Sequence, residues 1–215
     1  MTIFVLMKQY HLDFLSHLSS ADPILHKVAT SNGEILLRDT DTPFRHLVRI
    51  ITGQQLSVKA ATTIYGRLEH FVGQGYEPEH ILELNDDVLR SIGFSRSKTI
   101  YIKAVAEAAG PKCENFNSLS EKSDEEVIKV LTNIKGIGVW SAQMFLMFQM
   151  QRLDVFAPRD LGLKKGVSLI YGVPMDSPEK VWIAHAKIWS PYRTLASLHL
   201  WKYVDNYYNT KNRSL

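Results

Sequence analysis

The segment 139–150, VWSAQMFLMFQM, places the strongest constraint on how this chain can fold. It is apolar nearly all round, and a helix that is apolar on every face is buried at the centre of a protein. It is also well short of the roughly 20 apolar residues that a membrane span needs. The segment therefore predicts a central buried helix on which other elements pack.

A glycine turn, Ile-Lys-Gly-Ile-Gly at 134–138, links this helix to a capped helix predicted over 124–132. Gly136 and Gly138 permit positive φ and leave the backbone bare, and we expect Ile137 to turn inward as the anchor. N–H groups at the start of the following helix would suit a phosphate oxygen. Taken alone, the motif favours an ordinary interhelical turn, since Gly-x-Gly by itself is weak evidence for a binding site. A dinucleotide fingerprint is excluded because no strand precedes the turn.

Asp160 opens the segment LGLKKG and has two compatible interpretations. The simpler one is the N-cap of a helix. A capping carboxylate is also held rigidly, and nearby N–H groups keep it ionised. A fixed anion of this kind can stabilise a cation that develops in a transition state.

Helix signals dominate the remaining sequence, which predicts an almost all-α protein of about ten helices. Candidate N-caps before proline are Asp22, Thr42, Ser177 and Ser190, a capping box lies at Ser123–Glu126, and candidate helix stops are Gly73, Gly93, Gly110 and Gly172. Two short stretches, 2–7 and 33–38, suggest at most a strand pair near the N-terminus.

A polar corner, Gly53-Gln54-Gln55, separates two predicted helices. Taken alone it is a turn with two solvated amides. In the second helix, Val58, Tyr65, Leu68 and Phe71 recur at helical spacing and predict a core face.

The bulk properties narrow the class without identifying it. The chain has 215 residues, 45% of them hydrophobic and 22% charged, and a net charge of +3, which is compatible with a nucleic-acid partner but does not require one. The single cysteine, Cys113, excludes an intrachain disulfide and any four-cysteine metal site. The first residues lack the basic start and the cleavage site of a signal peptide.

The segments LTNIKGIGVWSA and DVFAPRDLGLKKG together resemble the helix-hairpin-helix (HhH-GPD) superfamily of base-excision DNA glycosylases. The upstream LVRIITGQQLSVKAATTIYGRL and FSRSKTIYIKAVAEA are similar to earlier segments of that superfamily. The downstream SPYRTLASLHLW is similar to its alkylpurine branch, the 3-methyladenine DNA glycosylase II type. The resemblance spans residues 40–205.

The resemblance implies an all-α fold of two helical lobes with a cleft between them. Lobe one would cover approximately 40–155, with the hairpin at 124–149, and lobe two 1–39 plus 156–215. The residues before the shared core are too few for the extra N-terminal β domain of the bacterial type II enzyme.

The resemblance also implies roles for single residues. Asp160 matches the catalytic aspartate, and Gln54 and Gln55 match the corner that fills the gap left by a flipped base. The DNA-binding hairpin would comprise Lys135, Gly136, Ile137 and Gly138. The base pocket would be lined by Trp140, Trp201 and Met144, the last at the position of a pocket tyrosine. A monovalent cation, Na⁺ or K⁺, would bind the backbone carbonyls of Thr132, Ile134 and Ile137. Candidate phosphate contacts are Arg96, Lys98, Lys135, Lys164 and Lys165.

Trp140 decides the predicted subclass. Bifunctional members of the superfamily carry a lysine at this position, which forms a Schiff base with the sugar and cleaves the strand. With tryptophan there, we expect a monofunctional enzyme that hydrolyses alkylated purines such as 3-methyladenine and 7-methylguanine from double-stranded DNA. Arg159 stands where the bacterial type II enzyme has a second acid, so the lesion range is left open.

The remaining expectations concern the protein's setting. We expect a monomer without a further cofactor and without a membrane partner, located in the cytoplasm of a bacterium or archaeon or in the nucleus of a eukaryote. Two alternatives stay open: a catalytically silent helix-hairpin-helix DNA-binding protein, and an all-α protein interaction domain.

Overall fold

The computed structural model of the protein describes residues 3–35, 37 and 41–213. Within those residues the chain forms thirteen α-helices and three short 3-10 helices. None of the described residues lies in a β-strand. The predicted all-α fold class is confirmed.

The α-helices are α1 (Ile3–Ala21), α2 (Pro23–Asn32), α3 (Pro43–Gly53), α4 (Val58–Val72), α5 (Pro78–Glu83), α6 (Asp86–Ile92), α7 (Arg96–Ala109), α8 (Glu114–Asn117), α9 (Asp124–Thr132), α10 (Val139–Phe148), α11 (Leu161–Tyr171), α12 (Glu179–Ala186) and α13 (Arg193–Arg213). The 3-10 helices are Pro111–Cys113, Ser118–Glu121 and Lys187–Trp189. Across the helices that the structure describes, none is long and apolar enough to cross a membrane.

Contacts between Cα atoms group the chain into two units. The terminal unit combines Met1–Arg38 with Gln151–Leu215, and the central unit is Asp39–Met150. Residues 151–155 group with the terminal segments because their backbone is bound there. The N–H of Thr194 donates to the carbonyl of Leu153 at 3.1 Å, and the N–H of Val155 donates to Oγ1 of Thr194 at 3.1 Å.

The central unit is built around α3, which packs against α4, α7 and α10. One face of α3 is fully buried because its apolar residues recur at helical spacing. The buried residues of that face are Phe44, Leu47, Val48 and Ile51. In α10, six of the ten residues are buried, which confirms the predicted central buried helix.

The terminal unit is built around α13, which packs against α11 and α2. Its largest fully buried side chains are Phe14, Leu18, Leu25, Trp182 and Trp189. Among them lies Asp22, which is 4% exposed. Its carboxylate accepts hydrogen bonds from the Leu25 N–H, the Tyr171 hydroxyl and the Trp189 indole. These bonds satisfy the buried charge and join three elements of the unit.

The predicted strand at 2–7 is wrong. Residues 3–7 begin α1, which continues to Ala21 and buries Phe14 and Leu18 at a spacing of four residues. A short apolar run cannot by itself distinguish a strand from the start of a helix. In the predicted strand 33–38, residues 33–35 and 37 form none, while Leu36 and Arg38 lie outside the described residues.

Most of the predicted helix boundaries are confirmed. Asp22 and Thr42 cap α2 and α3, and the Ser123–Glu126 capping box starts α9. The glycine stops end helices as predicted, at Gly73, Gly93, Gly110 and Gly172.

Two predicted N-caps are wrong. Ser177 does not cap α12, which begins at Glu179 after Pro178. Ser190 does not stand at a helix start, and its hydroxyl donates to the Asp154 carboxylate at 2.8 Å. The helix α13 begins three residues later, and Asp154 accepts from the N–H of Arg193 at 3.2 Å. A side chain distant in sequence thus supplies this cap, which a local motif could not reveal.

The predicted core face of α4 is correct only at its centre. Tyr65 and Leu68 are buried, whereas Val58 is 85% exposed and Phe71 is 57% exposed. The two exposed residues stand in the first and last turns of the helix.

His199 predicts a measurable pH dependence of stability. Its ring is fully buried, and burial, followed by the charges of His11 and Lys202, lowers its pKa to about 3. An unfolded histidine has a pKa near 6.5, so below pH ~6.5 the unfolded state binds a proton that the folded state does not. The free energy of unfolding should therefore fall on acidification, with a contribution of up to about 1.4 kcal/mol per pH unit from this residue.

Urea unfolding at pH 7.5 and at pH 5.5 tests this prediction. The variant His199→Gln should be less stable at pH 7.5, because it disturbs a buried ring, but should lose less stability than the wild type on going to pH 5.5. Equal losses in both proteins would contradict it.

Candidate active site

The hairpin between α9 and α10 is a tight turn closed by the Ile137 N–H, which donates to the Ile134 carbonyl at 3.0 Å. Gly136 has a φ of +94°, in the region that side chains other than glycine rarely adopt. A Cβ on Gly136 would lie 2.2 Å from Cγ of Tyr101 in α7. Ile137 is 5% exposed, so it turns inward as predicted.

Gly138 has a different part in the hairpin. It is the N-cap of α10, with a φ of −100° that any residue can adopt, and a Cβ there would meet nothing within 4 Å. Glycine is therefore not required at this position by backbone conformation or by packing. What it leaves is open space directly over the first turn of α10, at the positive end of the helix.

Gln54 ties the polar corner to this hairpin. Its side-chain amide donates to the Gly136 carbonyl at 3.0 Å and to the Ser141 hydroxyl at 3.1 Å. Ser141 is 2% exposed and belongs to the first turn of α10. The Gln54 side-chain amide therefore forms its hydrogen bonds within the central unit.

Gln55 is exposed and holds a φ of +57°, which is uncommon for a residue other than glycine. Next to it, Leu56 is 40% exposed and Val58 is 85% exposed. A left-handed residue and two apolar side chains project from one corner, and backbone outliers of this kind cluster at functional sites.

Lys98 binds the backbone of the same corner. Its ammonium donates to the carbonyls of Thr52 and Gln54, both at 2.7 Å, at the C-terminal end of α3. Burial lowers the pKa of this lysine. Lys98 is also one of the candidate phosphate contacts; in the structure two of the three N–H donors of its ammonium are bound to backbone carbonyls of the corner.

Asp160 is the N-cap of α11, as predicted. Its Oδ1 accepts the Leu163 N–H at 2.8 Å and the indole N–H of Trp201 at 2.8 Å. Two donors from different helices fix the orientation of the carboxylate. Trp201, expected to line a base pocket, is thus a direct partner of the predicted catalytic group.

The other predicted residues occupy varied environments. Trp140 is the second residue of α10 and is half-buried, and Met144 is buried, at 6% exposed. Lys135 and Arg96 are exposed. The ammonium groups of Lys164 and Lys165 lie over the rings of Trp182 and Tyr208 at 5.6 and 5.8 Å. Thr132 and Ile134 flank the hairpin turn and are half-buried.

Sequence reasoning did not identify Gly162, which stands in the first turn of α11. A Cβ there would lie 2.8 Å from Cδ1 and 2.9 Å from Nε1 of Trp201. A signal was present, because glycine inside a helix costs about 1 kcal/mol relative to alanine and so calls for a reason. Here the reason is the close approach of an aromatic ring.

Comparisons with known proteins identify the family of the chain. A family model described as "HhH-GPD superfamily base excision DNA repair protein" matches residues 48–191. DNA-3-methyladenine glycosylase 1 of Schizosaccharomyces pombe is 34% identical over 163 residues, which are 74% of this chain and 72% of that protein.

Two solved structures extend the comparison. The DNA-3-methyladenine glycosidase of Bacillus halodurans superposes with a TM-score of 0.77 at 38% identity and covers 91% of both chains. The 3-methyladenine DNA glycosylase of S. pombe, in complex with abasic DNA, superposes with a TM-score of 0.78 at 31% identity and covers 88% of this chain and 95% of that one. The chain belongs to the HhH-GPD superfamily of base excision DNA repair proteins.

Proposed function

We propose that the protein is a monofunctional DNA glycosylase that hydrolyses the N-glycosidic bond of alkylated purines, of the 3-methyladenine and 7-methylguanine type, in double-stranded DNA. The observation that carries this proposal is the carboxylate of Asp160, held at a helix start by the Leu163 N–H and the Trp201 indole. Relatives named 3-methyladenine glycosylases support the choice of substrate.

The reaction begins with extrusion of the damaged nucleotide, because the sugar carbon cannot be reached inside a stacked duplex. As the bond between C1′ and the base nitrogen lengthens, the base leaves with the electron pair and the sugar becomes oxocarbenium-like. The Asp160 carboxylate stabilises that cation. Water then forms the new bond to C1′, and its proton passes to the carboxylate or to solvent.

The charge of the substrate explains why one carboxylate suffices. A purine methylated at N3 or N7 is cationic, and it becomes neutral as it departs, so a strong general acid is unnecessary. Trp140 and Trp201 are each proposed as an aromatic face for the cationic base, with an attraction of about 1–2 kcal/mol when desolvated. Met144 is proposed to support the pocket from within α10.

The hairpin is proposed to hold the DNA backbone. The space over Gly138 and the first turn of α10 suits a phosphate oxygen, with exposed Lys135 beside it. We propose that a monovalent cation binds the carbonyls of Thr132, Ile134 and Ile137, because hard cations prefer oxygen ligands. The Ile134 carbonyl accepts the Ile137 N–H and, with two lone pairs, keeps capacity for a second partner. Such a cation would add positive charge next to the phosphate.

Gln55, rather than Gln54, is proposed to fill the gap left by the flipped base, since the Gln54 amide is bound to Gly136 and Ser141. We expect Gln55→Ala to slow base release by about tenfold, because the extruded state loses its support. Gln54→Ala should instead lower stability by about 1–2 kcal/mol through loss of its two hydrogen bonds. Single-turnover kinetics and urea unfolding of both variants separate the two roles. An unchanged rate for Gln55→Ala would contradict the assignment.

The decisive experiment is a panel of duplexes, each carrying one lesion, assayed for free base by chromatography. The panel contains 3-methyladenine, 7-methylguanine, ethenoadenine and undamaged adenine. Release of methylated purines is expected, and release from none of the duplexes would overturn the proposal in favour of a catalytically silent DNA-binding protein. Salt-dependent binding to undamaged duplex then separates that protein from an interaction domain, which should give no slope.

The monofunctional character has its own test. Because Trp140 replaces the amine that a Schiff base requires, borohydride should trap no covalent complex between enzyme and substrate DNA. A bifunctional glycosylase treated in parallel serves as the positive control. A trapped complex at the mass of enzyme plus DNA would show that another amine, such as that of Lys135, attacks the sugar.

The protein acts on DNA, and we propose that it does so as a monomer. We expect it to be located with chromosomal DNA, in the cytoplasm of a bacterium or archaeon or in the nucleus of a eukaryote.

A further inference from the structure

Two glycines on one face of α11 bring this helix into close contact with α13. A Cβ on Gly162 would lie 2.8 Å from Cδ1 of Trp201, and a Cβ on Gly166 would lie 3.1 Å from Cβ of Leu200. The spacing of four residues places both glycines on the same face. The two contacts differ in their surroundings, because only the contact at Gly162 is next to Asp160.

The contact at Gly162 is also a contact with the carboxylate. The same Cβ would lie 2.9 Å from Nε1 of Trp201 and 3.1 Å from Oδ1 of Asp160, the two atoms that share the 2.8 Å hydrogen bond. A methyl group there would occupy the space beside this bond. The absence of a side chain at Gly162 therefore permits the bond between indole and carboxylate.

We propose that Trp201 is a positioning residue that fixes the Asp160 carboxylate through its indole N–H, and that Gly162 is the residue that admits the indole to this position. The kinetic consequence rests on the proposed function, whereas the contact itself does not. The Leu163 N–H comes from the same helix start as Asp160 and binds Oδ1, the same oxygen that the Trp201 indole binds. The indole N–H, from a different helix, restricts rotation of the carboxylate about its Cβ–Cγ bond and favours one orientation toward the sugar.

This assignment is distinct from a stacking role for the ring. If Trp201 served only as an aromatic face, phenylalanine would preserve most of its function, because both rings offer a flat apolar surface. If the indole N–H fixes the carboxylate, phenylalanine would lower the rate of base release although an aromatic ring remains. The two roles therefore differ in whether the indole N–H donor is required, and the variant Trp201→Phe distinguishes them.

The kinetic experiment compares Trp201→Phe, Gly162→Ala and the matched control Gly166→Ala, which adds the same methyl group on the same helix face away from Asp160. Trp201→Phe and Gly162→Ala should each lower the single-turnover rate of 3-methyladenine release by about 10- to 100-fold, the effect of a lost hydrogen bond to a charged group. Affinity for a duplex with a tetrahydrofuran abasic site, and the rate for Gly166→Ala, should stay within about threefold of the wild type.

A wild-type rate for Trp201→Phe would overturn the proposal. So would a loss of abasic-site affinity equal to the loss of rate, since that pattern indicates a role in binding DNA rather than in positioning the carboxylate. Thermal unfolding of each variant shows that the rates refer to folded protein.

A second measurement does not depend on activity. In ¹H–¹⁵N spectra the four tryptophans give indole N–H signals, and the one lost in Trp201→Phe identifies Trp201. That signal should move in Asp160→Ala and in Gly162→Ala and stay in place in Gly166→Ala. If it is unmoved in Asp160→Ala, the contact is refuted. If the wild type releases no base, the proposed function fails, and the spectra still decide the contact.

Discussion

Replacement of Asp160 by asparagine is expected to lower the single-turnover rate of base release by about 1,000-fold or more. Asparagine keeps the side-chain oxygen that accepts from the Leu163 N–H and the Trp201 indole. It is also as good an N-cap as aspartate, so α11 should begin at the same residue. What the substitution removes is the negative charge, which is the property that stabilises the oxocarbenium-like sugar.

The variant therefore separates catalysis from binding and from folding. Its melting temperature should remain close to that of the wild type, and its affinity for a tetrahydrofuran abasic-site duplex should be retained. Asp176→Asn, at an exposed acid of the same unit, provides a matched control for the loss of one charge and should release base at the wild-type rate. If Asp160→Asn releases 3-methyladenine nearly as fast as the wild type, the assignment of Asp160 is wrong.

The parts of the site that could be predicted from the sequence are those encoded by adjacent residues. The Asp160 cap, the capping box before α9 and the buried helix α10 each follow from a short pattern, and each is present. The turn at Gly136 is predicted for the same reason, because positive φ is a local property.

What could not be predicted depends on contacts between residues distant in sequence. Lys98 is one of several basic residues at the start of α7, and only the fold shows that its ammonium meets the carbonyls of Thr52 and Gln54. The indole of Trp201 reaches Asp160 across 41 positions of the sequence. A local pattern states which groups are available, but packing decides which of them meet.

The two glycines of the hairpin differ in the same way: replacement by alanine is expected to affect stability at Gly136 and DNA affinity at Gly138. Gly136→Ala should destabilise the protein by about 3 kcal/mol, because alanine is strained at a φ of +94° and its methyl group would lie 2.2 Å from the Tyr101 ring. For a chain of this size that corresponds to a melting temperature lower by about 10 °C. Gly73→Ala, at a φ of +89° with nothing within 4 Å, should lose only the strain component, about 1 kcal/mol.

Gly138→Ala should leave the melting temperature almost unchanged, since its φ of −100° is ordinary and its Cβ would enter open space. That space is where the proposed phosphate approaches the start of α10, so the methyl group should weaken binding to an abasic-site duplex by about tenfold.

Calorimetry on Gly73→Ala, Gly136→Ala and Gly138→Ala measures the melting temperature, and fluorescence anisotropy measures the affinity for the abasic-site duplex. If Gly138→Ala binds DNA like the wild type, the phosphate does not lie over this residue. If Gly136→Ala is no less stable than Gly73→Ala, the approach of Tyr101 does not constrain the hairpin. The expected pattern, stability lost at one glycine and affinity at the other, would show that the turn needs Gly136 in order to fold and Gly138 in order to bind.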